Sequence, residues 1–279
     1  MDSLSRLRRS QPQLFKIPLP LAFEYKGCRV ESAGFEDNAR RLFVKDLTVN
    51  LRALGSFLYA RYAMERIAPL PDHLSAALLK EYAVHHTNEA IILCQLYFGK
   101  KEPMRRRLFV NSRNFPLDLS SYERLAYSTQ CRLPSAAVVV HEMGRMLGSV
   151  QVAGFDGRGI KFVLAGSSAR QDDMQEQQEV LQAHGHATEK KAPWSFHVFH
   201  FSKMSALSGC VAADAQLLAN AFFLNDLYFP RPRPRAKLYE QFKAGWYRML
   251  SWGHHVDVAD LFFDMIEAIQ ARRDAGMST

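Results

Sequence analysis

The chain has 279 residues, 48% of them hydrophobic and 23% charged, with 19 Phe and 10 Tyr. A chain of this length hides about 70–75% of its extended surface on folding, and the composition excludes a mainly disordered chain, a collagen-like fibre and a low-complexity tail. Lys and Arg number 36 against 28 Asp and Glu, a formal charge of +8, which admits a polyanionic partner without requiring one.

The start is basic and interrupted by Pro12, Pro18 and Pro20, with no long apolar stretch before a cleavage site. Residues 19–32 have the aromatic and β-branched content of one or two short strands, with Gly27 at a turn. Apolar residues then recur at helical spacing over 46–67, including Leu47, Leu51, Leu54, Leu58 and Tyr62. A proline loop at 68–72 ends that run, and 73–98 reads as a second helix, so an antiparallel helical pair is expected. Residues 99–107 form a basic, punctuated linker.

Ser120 or Ser121 caps the next expected helix, whose apolar side holds Tyr122, Leu125 and Ala126. After a break at 130–133, Pro134 fits the first turn of another helix. Its buried stripe is Ala137, Val140, Met143 and Leu147, and it stops at Gly148. Three successive Val make a strand at 136–140 the competing reading. Residues 149–153 and 160–165 then flank GFDGRG as a β-hairpin.

Further on, 171–182 is polar and reads as a solvent-facing helix or loop. Residues 194–203 alternate as a strand, and 206–229, 238–252 and 256–273 read as helices. The most apolar stretch, 212–229, is broken by Asp214, Gln216, Asn220, Asn225 and Asp226, so no membrane span is expected. Cys28, Cys94, Cys131 and Cys210 include no CxxC pair, which fits a reducing, cytoplasmic compartment.

Helix, short turn, helix and hairpin over 118–167 resembles a winged helix-turn-helix. Leu125-Ala126 is similar to the Leu-Ala of that family's scaffold helix, and Leu147-Gly148 to the end of its recognition helix. Cys131 stands where the family commonly has a glycine or small residue. The resemblance implies that the second helix enters the DNA major groove and that Arg158, at the hairpin tip, meets phosphate or minor groove. Arg132 and Ser135 at the start of that helix, with His141 and Arg145 off its apolar stripe, are then the candidate contacts. The alternative is a helical hairpin followed by an ordinary β-hairpin.

Two basic runs add to this reading. Arg105, Arg106 and Arg107 precede the motif, and Arg231, Arg233, Arg235 and Lys237 form an Arg-Pro arm that prolines hold extended. The arm is a phosphate contact or a solvated connector paired with the acidic stretch at 172–179. Phe222, Phe223, Tyr228 and Phe229 fit either a structural or adaptor component of a larger assembly or the core of a homodimer reading two half-sites. The histidines offer a competing chemistry. Glu81, His85 and Glu89 share a helical face, and His184, His186, Glu189, His197 and His200 cluster in sequence, yet no ExxH, HExxH, GxSxG or phosphate-loop motif accompanies them.

The expectation is therefore an α+β, mostly helical protein with a central winged helix-turn-helix-like unit flanked by helical regions. Its regions are 1–100, 101–170 and 171–279. The expected function is sequence-specific double-stranded DNA binding as a transcriptional regulator, without catalysis and requiring no cofactor. The alternatives are an adaptor of a nucleoprotein assembly, a replication or partition factor of a plasmid or other mobile element, and a histidine/carboxylate metal-dependent enzyme.

Overall fold

The computed structural model describes residues 14–16, 20–25, 28–31, 60–64, 67–82, 90–99, 111–127, 133–167, 194–225, 228–250 and 253–276. It is an α+β fold. The strands are β1 (Phe15–Lys16), β2 (Pro20–Tyr25), β3 (Cys28–Glu31), β4 (Ala60–Met64), β5 (Leu93–Tyr97), β6 (Phe115–Asp118), β7 (Lys161–Gly166) and β8 (Trp194–Phe199). The helices are α1 (Asp72–Tyr82), α2 (Leu119–Tyr127), α3 (Ala136–Val152), α4 (Val211–Leu224), α5 (Lys237–Tyr247) and α6 (His254–Asp274).

The larger sheet has the order β1-β8-β7-β5-β6. β7 runs antiparallel to both neighbours, whereas β1 and β6 lie parallel on the outside, so the sheet is mixed. Strands from all three sequence regions enter it, and the three regions therefore share one sheet. Its register aligns Phe115, Cys94, Leu164, Phe196 and Phe15 across one face. Alternation puts the row through Gln95, Val163 and His197 on the other face. The aromatic row meets α2 through Tyr122, whose ring lies 6.4 Å from that of Phe196. The smaller sheet, β3-β2-β4, contains the hairpin expected over 19–32.

α3 is the hub. Val139, Val140, Met143, Met146, Leu147 and Val150 are all buried, on more than one side of the helix, the pattern of an interior helix and not of a surface one. Ser135 caps it by accepting the Val138 N–H at 3.4 Å. α5 crosses it where both helices carry glycine. A Cβ on Gly148 would stand 2.5 Å from the Trp246 carbonyl oxygen, and one on Gly144 2.9 Å from the Trp246 nitrogen. Only hydrogen fits there. Trp246 in turn stacks on Phe262 of α6, with ring centroids 4.8 Å apart.

Several expectations change. Ala60–Met64 is a strand paired with β2, not the end of a helix, and Leu93–Tyr97 is a sheet strand, not part of a long second helix. Residues 46–59 of the expected first helix lie outside the described residues, and of the described residues of the second only 72–82 are helical, as α1. Cys94, Gln95 and Leu96 are buried on both faces of the sheet, and a run buried all round reads alike as helix or strand. The wing hairpin is also corrected: Ser149–Val152 continue α3 past Gly148, and β7 pairs with β5 and β8 instead of with 149–153. The three Val of α3 are helical because the cap and the α5 contact override their local strand preference. Asp118, not Ser120 or Ser121, caps α2, accepting the Ser121 N–H at 2.9 Å.

Candidate nucleic-acid interface

Groove reading needs exposed side chains along a protruding helix, and α3 does not offer them. His141 Nδ1 lies 3.3 Å from Glu142 Oε1, and Arg145 Nη1 donates to the same carboxylate at 3.0 and 3.2 Å. Their side chains are only 22% and 20% exposed. These two candidates form an ion cluster within their own helix. Ser135 is the α3 cap. Arg158 is no hairpin tip: it sits in a loop, its N–H donating to Asp156 Oδ1 at 3.0 Å and its guanidinium 3.5 Å from Asp156 Oδ2. Arg105, Arg106, Arg107 and Arg132 lie outside the described residues.

The Arg-Pro arm divides into anchors and exposed cations. Arg231 Nε donates to the Gly99 carbonyl at 2.8 Å, fixing the arm to the end of β5. Arg233 makes a two-pronged contact with Asp274, both distances 2.8 Å, which sets the arm beside the last turn of α6. Arg235 is exposed and adopts φ 67°, its N–H donating to Glu240 at 3.1 Å. Lys237 is exposed at the start of α5, whose N-cap Ala236 supplies no side-chain acceptor.

Sequence reading missed two members of this corner. Arg272 and Arg273 close α6 and are exposed, and Arg273 lies 4.2 Å from the Phe223 ring centroid. Adjacent Arg in a last helical turn were legible as a complement to the helix dipole. Their nearness to the arm was not. Asp274 thus ties the arm that carries Arg231, Arg233, Arg235 and Lys237 to the helix end that carries Arg272 and Arg273.

The aromatic cluster expected at a dimer interface belongs to the monomer core. Phe222 stacks on Phe229 at 5.2 Å, and Phe222, Tyr228 and Phe229 are all buried.

Among the described residues no three His, Cys, Asp or Glu side chains meet as a group that could hold a metal ion. Of the Glu81, His85 and Glu89 face only Glu81 is described, and it accepts from Arg124 Nε at 2.6 Å. His184, His186 and Glu189 lie outside the described residues. His197 is buried on the second sheet face, Nε2 2.7 Å from Ser195 Oγ. The i, i+2 spacing on an alternating strand was the available signal for that pair. His200 adopts φ 76°, its Nδ1 3.2 Å from the Gly159 carbonyl. Among the described residues no helix is long and apolar enough to cross a membrane. Neither a family model, nor a curated protein, nor a solved structure matches the chain.

Proposed function

We propose that the protein binds double-stranded DNA through its phosphate backbone, as a component of a nucleoprotein assembly, and that the corner formed by arm 231–237 and the end of α6 makes the contact. The observation that carries this reading is the docking of the basic arm on the basic end of α6 through Arg233 and Asp274, with Arg235, Lys237, Arg272 and Arg273 all exposed. Prolines 232 and 234 limit the conformations of the arm, so ordering it on a polyanion loses little entropy. The positive end of the α5 dipole lies at the same place and favours an anion.

Backbone contact is favoured over base reading because His141 and Arg145 are paired with Glu142 and half-buried. A sequence-specific regulator would have to read bases with other side chains, Arg132 first among them.

The test is affinity for two unrelated duplexes at two salt concentrations. Binding should be similar for both and should weaken steeply with salt, the logarithmic slope being about 0.9 per phosphate contact. Arg235→Ala with Lys237→Ala should weaken both duplexes equally and lower that slope, whereas His141→Ala should do neither. Absent or salt-insensitive binding would remove DNA as the partner. Strong preference for one duplex, abolished by Arg145→Ala, would restore the groove-reading helix.

A further inference from the structure

Residues 204–209 cross the outer side of the loop 154–159 and lead into α4. Ala206, Ser208 and Gly209 are exposed, and only Met204 and Leu207 pack partly against the core. Apolar burial is therefore a minor part of what holds the segment. Its backbone is tied at two buried carboxylates. Asp156 Oδ1 accepts the N–H of Ser205 at 2.8 Å, and the Asp156 N–H returns to the Ser205 carbonyl at 3.0 Å. Asp214 accepts the N–H and hydroxyl of Ser208 on Oδ1, at 2.6 and 2.8 Å, and the Gly209 N–H on Oδ2 at 3.0 Å. Between these ties, Ala206 bridges Phe155, and the Leu207 N–H reaches the Gly154 carbonyl at 2.8 Å.

Each carboxylate also faces a cation or a histidine. Arg158 Nη2 is 3.5 Å from Asp156 Oδ2, and His254 Nε2 is 3.6 Å from Asp214 Oδ2, with His255 beside it on α6. Asp156 Oδ2 and Arg158 Nε are buried yet have no hydrogen-bond partner among the described residues. Asp156 Oδ2 belongs to a residue that lines a small cavity with Gly157, Asn225, Phe222 and Phe229.

We infer that residues 204–209 are a strap latched by the two anions Asp156 and Asp214, which opens as one unit without unfolding the helices and uncovers Asp156 and Arg158. Because bonds to a charged acceptor are stronger than neutral ones, breaking the tie at either carboxylate releases the whole exposed segment. Opening then presents an acceptor and a donor that the closed loop leaves incompletely bonded.

Hydrogen exchange of the full chain at neutral pH tests this at the amides of Ser205, Leu207, Ser208 and Gly209. Asp214→Asn sets an N–H₂ group against one of its donors, so all four amides should exchange at least about tenfold faster. That includes Ser205 and Leu207, which Asp214 does not touch. Amides within α3 should remain far better protected than these four, exchanging only through global unfolding. Asp156→Ala should act in the same way, whereas Asp156→Asn, which retains an oxygen acceptor, should do less. Acceleration confined to Ser208 and Gly209 in Asp214→Asn would overturn the inference, as would exchange of the segment and α3 at the same free energy of opening. In the unsubstituted chain, exchange in low denaturant should bring the four amides onto one opening curve below that of α3, and four separate curves would refute the strap.

Discussion

The α3–α5 crossing and the 204–209 segment hold chain together by opposite means. At the crossing, glycines on both helices let the backbones approach, and Trp246, Phe242 and Phe262 fill the adjoining space with stacked and edge-on rings. Along the segment, small and polar residues lie exposed, and buried carboxylates gather their N–H groups. Apolar packing is spread over many contacts, so it resists pH and salt. A latch made of a few charge-assisted bonds concentrates its strength in two side chains and responds to their charge.

The sharpest way to break the first region is Trp246→Ala. It removes a buried ring stacked on Phe262 and the indole N–H bond to Gln151 at 2.6 Å, and should destabilise the fold by about 3–5 kcal/mol. Urea unfolding should show a lower midpoint with an unchanged slope. An effect under about 1 kcal/mol would mean that the crossing is not the centre of the core. Gly148→Ala forces a methyl to within 2.5 Å of a backbone oxygen and should cost about 1–3 kcal/mol through displacement of α5. Thermal unfolding that matches the unsubstituted chain would contradict the tight approach.

The second region should yield less global stability and more pH dependence. Asp214→Asn is expected to lower stability by about 1–3 kcal/mol at neutral pH, the loss of bonds to a buried acceptor. Burial opposes the Asp214 charge, but the Ser208 N–H and hydroxyl, the Gly209 N–H and His254 outweigh it and hold the carboxyl below the ordinary 3.8. The unfolded chain therefore takes up the proton first. The stabilisation from Asp214 is complete above the ordinary carboxylate range and is lost as pH falls through 3.8 toward the folded value. The acid limb of a stability–pH curve should consequently be shallower in Asp214→Asn, and parallel limbs would show that its charge does not hold the latch. His255, whose pKa is lowered from 6.5 by burial and then by His254, works at higher pH: its neutral form is favoured in the folded chain, so stability declines as pH drops below 6.5.

The smallest effect on folding should come from the basic corner. Arg233→Ala removes a half-exposed ion pair with Asp274, worth about 0–1 kcal/mol. On the DNA proposal, Arg235→Ala should reduce the salt slope of binding more than Arg233→Ala, because Arg233 must leave Asp274 before it meets phosphate. Anisotropy titrations across a salt series compare the two, and a larger change for Arg233→Ala would reverse the assignment of anchor and contact.

Local signals carried far in some elements. The hairpin over 19–32, the strand beginning at Trp194 and the helices α4, α5 and α6 follow their apolar spacing and turn residues. The signals failed where burial is complete. Residues 93–97 are buried on both faces of the sheet, so neither period 2 nor period 3.6 distinguishes strand from helix there. Gly148 invited a helix stop, but its lack of a side chain serves the approach of α5, a partner almost a hundred residues away. The candidate contacts show the same division. That 231–237 is a basic, proline-stiffened arm was readable residue by residue, whereas the capture of Arg233 by Asp274 depends on how α6 docks.

By itself, then, the sequence determined that the chain has a large aromatic core, a basic excess and its principal surface helices, because composition and short-range periodicity depend only on neighbours along the chain. The tertiary structure alone decided that α3 is interior, that β5 joins β1, β6, β7 and β8 in one sheet, and that His141 and Arg145 turn to Glu142. It also decided which arginines stay exposed and which carboxylates hold the 204–209 strap. Burial, register and ion pairing are fixed by contacts between residues distant in sequence, and local patterns do not encode those distances.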